Sequence, residues 1–299
     1  MKLIRFSCGE DEPHIGLLME ENFLDLGIGD SIELIYLIQA SGLTEEAFLN
    51  YEYDLKRLPR HKIHDSENGF PDGVRLLKPV VPPEVWACGV TYLRSRAARE
   101  TETKVQGIYE RVYDAKRPEV FFKSTASRCA DPFQPVYIRG DSAWCVPEPE
   151  LAVVVGSEGR ILGFTIGNDM TARDIEGENP LYLPQAKIYD HCCSIGPALV
   201  TSASIGDSGN LAIRMSILRD EVTVFQGQST TSLMKRTIAE LLQFLFRDNP
   251  VPTGSICFTG TGIVPPNDFA LKDNDLIEIT IDGIGTLKNP VRQLQHTRH

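Results

Sequence analysis

The spacing of apolar and polar residues changes character along the chain. Met1 to Cys8 (Met-Lys-Leu-Ile-Arg-Phe-Ser-Cys) alternates with the period of two expected of a strand. Apolar residues over Ile32–Ala40 recur at helical spacing, with Ser31 placed to cap a helix. The stretch from Tyr51 to Asn68 is charged and holds no catalytic grouping. Lys78-Pro-Val-Val-Pro-Pro83 then interrupts any regular pattern, because proline lacks a backbone donor and restricts the residue before it. These features predict a small α+β unit over residues 1–77.

From Glu84 onward short β-type runs dominate: Val85–Val90, Val120–Lys123, Val136–Ile138, Leu151–Val155, Ile161–Ile166, Leu211–Leu218 and Leu276–Ile281. Two segments read as helices. Arg94–Tyr113 is charged and amphipathic, and Leu233–Phe246 aligns Leu233, Ile238, Leu241, Leu242 and Leu245 behind Ser and Thr. So few helices among so many strands predict a mixed, β-rich α+β domain over 78–299 rather than a regular βαβ alternation.

Composition narrows the function. The 299 residues are 42% hydrophobic and 24% charged, ordinary for a globular chain, and no apolar run approaches the roughly 18 residues that a membrane helix needs. A formal charge of −11 argues against nucleic acid and anionic membrane as partners, since both call for a basic footprint. It leaves room for a small anionic substrate, because one metal ion or a few Lys and Arg can dominate locally. Seven cysteines, an odd number without Cys-x-x-Cys spacing, read as reduced and mostly buried thiols. With no apolar core of a secretion signal near Met1, a cytoplasmic location is expected.

The most informative stretch is Val146-Pro-Glu-Pro-Glu-Leu-Ala-Val-Val-Val155. On a strand, Glu148 and Glu150 point to one face, where two carboxylates repel unless a cation joins them. Ser157-Glu-Gly-Arg160 reads as a four-residue hairpin loop. Pairing Gly156 with Ile161 then sets Glu148 opposite Asp169, so three carboxylates converge as hard ligands for Mg²⁺, with Mn²⁺ or Ca²⁺ as substitutes. A slip of one residue would turn Asp169 away, and spacing alone fits an exposed Glu-x-Glu edge strand equally well.

Pro147-Glu-Pro-Glu-Leu-Ala-Val-Val154, Gly163-Phe-Thr-Ile-Gly-Asn-Asp-Met-Thr-Ala-Arg-Asp174, Gln185-Ala-Lys-Ile-Tyr-Asp190 and Phe258-Thr-Gly-Thr-Gly262 occur in the order found in the fumarylacetoacetate hydrolase superfamily, which this chain resembles over residues 78–290. The resemblance implies that superfamily's β-roll catalytic fold, a 2-oxo acid substrate and a homodimer. It matches Glu148, Glu150 and Asp169 to the metal ligands, Lys187 to a lysine beside metal and substrate, and Thr261 to a contact for the substrate carboxylate. Arg173 and Asp174 read as a salt-bridged corner.

One departure matters. Hydrolases of the superfamily carry an Asn, and then a His and a Glu that activate water, where this chain reads Gly89-Val-Thr-Tyr-Leu-Arg-Ser-Arg-Ala-Ala98. Thr91, Ser95 and Ala98 take those places, and neither Ser nor Ala is a base near neutral pH. Arg117-Pro-Glu-Val-Phe-Phe-Lys123, Glu176-Gly-Glu-Asn-Pro-Leu-Tyr-Leu-Pro184 and Arg247-Asp-Asn-Pro250 instead resemble the sugar-acid dehydratase subgroup, whose members act on 2-keto-3-deoxy aldonates such as 2-keto-3-deoxy-D-arabinonate.

A lyase that dehydrates a 2-keto-3-deoxy sugar acid, most simply a pentonate, is the expectation. The alternatives are an acylpyruvate-type C–C hydrolase, an oxo-acid tautomerase or decarboxylase, and a non-catalytic 2-oxo-acid-binding protein. Lys187, Glu119 and Glu178 are the candidate proton-transfer groups. Gly89, Thr91, Tyr92, Phe122, Lys123 and Thr261 are candidate substrate contacts. A lid over Arg94–Tyr113 would add Arg94, Arg96, Tyr109 and Tyr113; a solvated charged helix is the plainer reading of that segment.

Overall fold

The computed structural model describes residues 1–63, 70, 73–102 and 107–295. In chain order its strands are β1 (Lys2–Cys8), β2 (His14–Leu18), β3 (Asn22–Asp25), β4 (Arg60–Lys62), β5 (Val74–Leu77), β6 (Val85–Gly89), β7 (Glu119–Ser124), β8 (Cys129–Ala130), β9 (Val136–Ile138) and β10 (Cys145–Val146). There follow β11 (Pro149–Val155), β12 (Ile161–Asp169), β13 (Thr171–Ala172), β14 (Cys193–Thr201), β15 (Ala212–Arg219), β16 (Val222–Thr230), β17 (Ile256–Phe258), β18 (Leu276–Ile281) and β19 (Gly285–Gln293). The helices are α1 (Ser31–Ser41), α2 (Glu45–Glu52), α3 (Leu93–Glu102), α4 (Ile108–Asp114), α5 (Arg173–Glu178), α6 (Leu183–Lys187) and α7 (Ile238–Leu245).

Two sheets carry the fold. The larger runs β4-β3-β2-β1-β14-β12-β11-β17-β6-β7, and the smaller runs β16-β15-β18-β19-β9. Strands β11, β12 and β14 lie across β15, β18 and β19. That stacking buries every residue of Leu151–Val155 and explains why the run is continuously apolar rather than alternating. Strands β1–β5, which lie in the small α+β unit expected over residues 1–77, join the larger sheet through the antiparallel pairing of β1 with β14.

Helix boundaries shifted where capping chemistry decided them. Asp30, not Ser31, caps α1, accepting from the Ile32 and Glu33 amides, while the Ser31 hydroxyl donates to the Pro79 carbonyl. The expected helix over Leu233–Phe246 starts only at Ile238. Thr237 caps it, and Met234 is bridged instead to Tyr92, so Leu233 is exposed rather than part of the buried stripe. The single helix expected over Arg94–Tyr113 is two helices, α3 and α4, with Gly107 in the left-handed region ahead of the second.

Candidate active site

The register of β11 and β12 places the metal ligands. Pro149 pairs with Asn168 and Glu150 with Gly167, and one step further Glu148 and Asp169 exchange backbone bonds of 3.1 and 2.9 Å. The hairpin end is less regular than expected. Val155, not Gly156, pairs with Ile161, and a bulge after Val154 absorbs Leu162, leaving the ligand end in the expected register. Glu148, Glu150 and Asp169 are all buried, and one oxygen of each lies within 4.8 Å of the others. Gly167, opposite Glu150, leaves space that the Phe258 ring fills; a Cβ there would meet it at 2.6 Å.

Four cations surround these carboxylates. Lys187 Nζ donates to Glu148 Oε2 at 2.6 Å and to Asp169 Oδ2 at 2.8 Å. Lys123 Nζ lies 2.6 Å from Asp169 Oδ1 and donates to the Met170 and Lys187 carbonyls at 2.8 and 2.5 Å. Arg173 Nη2 and Arg99 Nη2 reach Glu148 Oε1 at 2.5 and 3.1 Å. Burial alone would raise the Glu148 carboxyl, yet Lys187, Arg173 and Arg99 together hold it far below the usual range.

Glu150 is the exception. Among the described residues it accepts the Gly260 amide alone, at 2.5 Å, and burial with repulsion from Asp169 and Glu148 pushes its carboxyl well above the usual value. Glu119 and Glu150 are the cavity carboxylates without an ion-pair partner among the described residues. A cation placed among Glu148, Glu150 and Asp169 would relieve the repulsion at Glu150, and an all-oxygen donor set suits Mg²⁺. These residues therefore fit such an ion.

The cavity over the triad is lined by Gly89, Glu119, Phe121, Lys187, Gly260 and Thr261 among others. Gly89 ends β6 directly opposite Glu119 on β7, and a Cβ at Gly89 would fall 2.0 Å from Glu119 Oε2. Burial raises the Glu119 carboxyl toward its neutral form, against the pull of Arg99 and Lys187.

The strand period decides the neighbours on β7. Glu119, Phe121 and Lys123 share a face, while Phe122 turns away to meet Trp86 edge-on at 5.5 Å. The cavity is thus lined by Phe121, not Phe122, and Lys123 is a buried strut under Asp169 rather than a wall of the cavity. Thr91 is buried with its hydroxyl on the Thr259 carbonyl at 2.7 Å, and Tyr92 packs against Gly262, so both support the Gly260 turn from behind. Glu178 is exposed at the end of α5 and lies outside the cavity. From α3 the inward residues are Ser95, Ala98 and Arg99. Arg94 faces outward, and Arg96 stacks on Tyr113 at 5.0 Å. Of the expected Arg173–Asp174 corner, Arg173 is buried and ion-paired to Glu102 and Glu148 while Asp174 accepts from the Ser142 hydroxyl and the Ala143 amide; Arg99 and Glu176 are cavity residues that motif reading passed over.

Residues 85–292 match the family described as fumarylacetoacetate hydrolase, C-terminal. The chain belongs to this family. It is 51% identical to the 2-dehydro-3-deoxy-D-arabinonate dehydratase of Saccharolobus solfataricus, over 74% of this chain and 75% of that one. It is 50% identical to a probable 2-keto-3-deoxyxylonate dehydratase of Haloferax volcanii, over 71% and 73% of the two chains. A solved structure of 2-keto-3-deoxy-D-arabinonate dehydratase complexed with magnesium and 2,5-dioxopentanoate superposes with a TM-score of 0.82 at 39% identity, covering 99% of this chain and all of that one. The mixed, sheet-rich architecture expected from the sequence is the fold of these relatives.

Proposed function

We propose that this protein is a Mg²⁺-dependent hydro-lyase that converts a 2-keto-3-deoxy pentonate into a 2-oxo acid semialdehyde. The observation that carries the proposal is the buried Glu148–Glu150–Asp169 triad, whose Glu150 has no ion-pair partner among the described residues, beside Lys187 and Glu119 in one cavity. The dehydratases similar to this chain, one of them with magnesium and 2,5-dioxopentanoate, support the same reaction class.

When bound, the cation polarises the 2-oxo group and stabilises negative charge developing at C2–C3. Thr261 and the Gly260 turn receive the substrate carboxylate, and Phe121 packs against the carbon chain. Lys187, donating to both Glu148 and Asp169, fixes their orientation. Glu119 takes the C3 proton as a carboxylate and returns it to the C4 hydroxyl, which leaves as water. The elimination leaves a 2-oxo-3-enoate that still carries the C5 hydroxymethyl group; moving one proton from C5 to C3 gives the C4–C5 enol, which tautomerises to the semialdehyde. Ser95 and Ala98 offer no base to activate water, which sets this site apart from C–C bond hydrolysis.

A homodimer suits the same reading. Strand β16, the exposed edge of the smaller sheet, runs nine residues without a charge or a proline, and such an edge is normally covered. The seven free thiols suit the reducing cytoplasm. The test is turnover of Mg²⁺-loaded protein on 2-keto-3-deoxy pentonates, followed by coupled NAD(P)⁺ reduction, with Glu148→Gln as control. Turnover abolished in the control is the expected result. No turnover at full metal occupancy would sink the dehydratase reading.

A further inference from the structure

Lys187 enters the cavity from α6, a helix of five residues. A helix that short does not hold itself together in water, so its place must be set from outside. The residues leading into it do not set it. Leu181 is 83% exposed and Tyr182 38%, and within α6 the buried residues are Ala186 and Lys187.

What α6 has instead is a cation on each of two carbonyls toward its C-terminal end. The Lys187 carbonyl accepts from Lys123 Nζ at 2.5 Å, and the Gln185 carbonyl accepts from Arg139 Nη1 at 3.0 Å. Both cations also lie against the Tyr189 ring, Lys123 Nζ at 5.8 Å and Arg139 at 5.7 Å from its centroid. Arg139 is clamped in turn. Its Nε and Nη2 donate to the two carboxylate oxygens of Asp141 at 2.7 and 2.6 Å, which turns the remaining nitrogen of the planar fork toward α6. One anchor would leave so short a helix free to pivot; two fix its direction.

Arg139 follows directly on β9, in the smaller sheet, and lies outside the cavity. Strand β9 also holds the far end of the same loop, where the Tyr137 amide donates to the His191 carbonyl at 3.1 Å. The segment 185–191 is thus tied to the smaller sheet at both ends. The carboxylates that Lys187 meets stand at the ends of β11 and β12, in the larger sheet.

We propose that Arg139 is a positioning residue: by holding the Gln185 carbonyl it places Lys187 Nζ between Glu148 and Asp169, so that the smaller sheet takes part in building the active site. The link to turnover rests on the reading of Lys187 given above; the hold on α6 does not.

The experiment measures kcat, KM and Mg²⁺ affinity, together with backbone hydrogen exchange over residues 183–188, in wild type, Arg139→Ala and Arg139→Lys. The amide of Ile188 closes α6 on the Pro184 carbonyl at 2.9 Å and reports its integrity. Arg139→Ala should speed exchange over α6 about fivefold or more and lower kcat about tenfold, with KM changed less than about twofold. Mg²⁺ affinity should not fall, since Arg139 touches none of the three ligands. Arg139→Lys, whose ammonium reaches a carbonyl but lacks the fork for Asp141, should recover part of kcat. Millimolar guanidinium should restore turnover to Arg139→Ala, and urea, its uncharged isostere, should not. Wild-type exchange over α6 in Arg139→Ala would overturn the hold. Faster exchange with wild-type kcat would overturn the link to Lys187, as would a fall in Mg²⁺ affinity as large as that in kcat. A wild type that turns over no 2-keto-3-deoxy pentonate would overturn the dehydratase reading and the link to turnover together, and leave the exchange test of the hold on α6 intact.

Discussion

Replacing Glu150 by Gln should stabilise the metal-free protein, although it removes a metal ligand. Glu150 is buried among Glu148 and Asp169 and, among the described residues, has no cation of its own and one partner, the Gly260 amide. Glutamine keeps an oxygen for that amide and turns an NH₂ toward the two neighbouring carboxylates, so repulsion becomes hydrogen bonding. Removing an uncompensated buried charge in this way is worth about 1–2 kcal/mol here, at the low end because the Gly260 amide already offsets part of it. For a chain of this size that is about 2–4 °C in Tm. Thermal unfolding in EDTA and in excess Mg²⁺ at pH 7.5 is the assay. Mg²⁺ at 100 times its Kd should add about 2.7 kcal/mol to the wild type and nothing to the variant. A drop in the EDTA midpoint, or equal Mg²⁺ shifts in the two proteins, would show that Glu150 is a structural carboxylate and that the charge argument is wrong.

Lys187→Met strips the cation from Glu148 Oε2 and Asp169 Oδ2, and should cost about 3–5 kcal/mol without metal and on the order of 10³ in kcat with it; Mg²⁺ should restore the midpoint but not the turnover. Gly89→Ala pushes a methyl into the Glu119 carboxyl, so kcat should fall at least tenfold while circular dichroism stays unchanged. At Asp131, burial would raise the carboxyl, but Lys78 outweighs it with help from Arg75, and the folded group titrates below its ordinary value. Its stabilisation is therefore present above the ordinary carboxylate range and is lost as pH falls through the lowered value. Asp131→Asn should cost about 1–2 kcal/mol at pH 7, mostly through half-buried Lys78 since Arg75 is 60% exposed, and the gap to wild type should narrow in melts near pH 3.

The residues legible in the sequence were those whose place follows from strand parity and motif. Glu148, Glu150 and Asp169 needed only a register, and two backbone bonds between Glu148 and Asp169 fix it. Gly89, Thr261 and Lys187 came with the family resemblance and line the cavity. Phe122 failed on parity: beside Lys123 on a strand it had to face the other way, and Glu119 with Lys123 already marked Phe121 as the inward ring. Arg99 was hidden for a different reason. Hydropathy reads an arginine on a polar helix as solvated, yet Ser95, Ala98, Arg99 and Glu102 form an i, i+3, i+4, i+7 stripe that faces the protein. The repeated Arg-x-x-Glu at 99–102 and 173–176 was the available signal. Cap positions such as Asp30 and Thr237 depend on single side-chain hydrogen bonds, which periodicity does not resolve.

The bulge between Val154 and Ile161 gives the hairpin a freedom that the rest of β11 and β12 lacks. Because it absorbs a residue before the ladder reaches the carboxylates, loop length and ligand alignment are separate variables. Ser157–Gly159 is thus a socket in the scaffold: chain can be cut, lengthened or replaced there, by an evolving lineage or by an engineer, while the distance between Glu148 and Asp169 stays fixed.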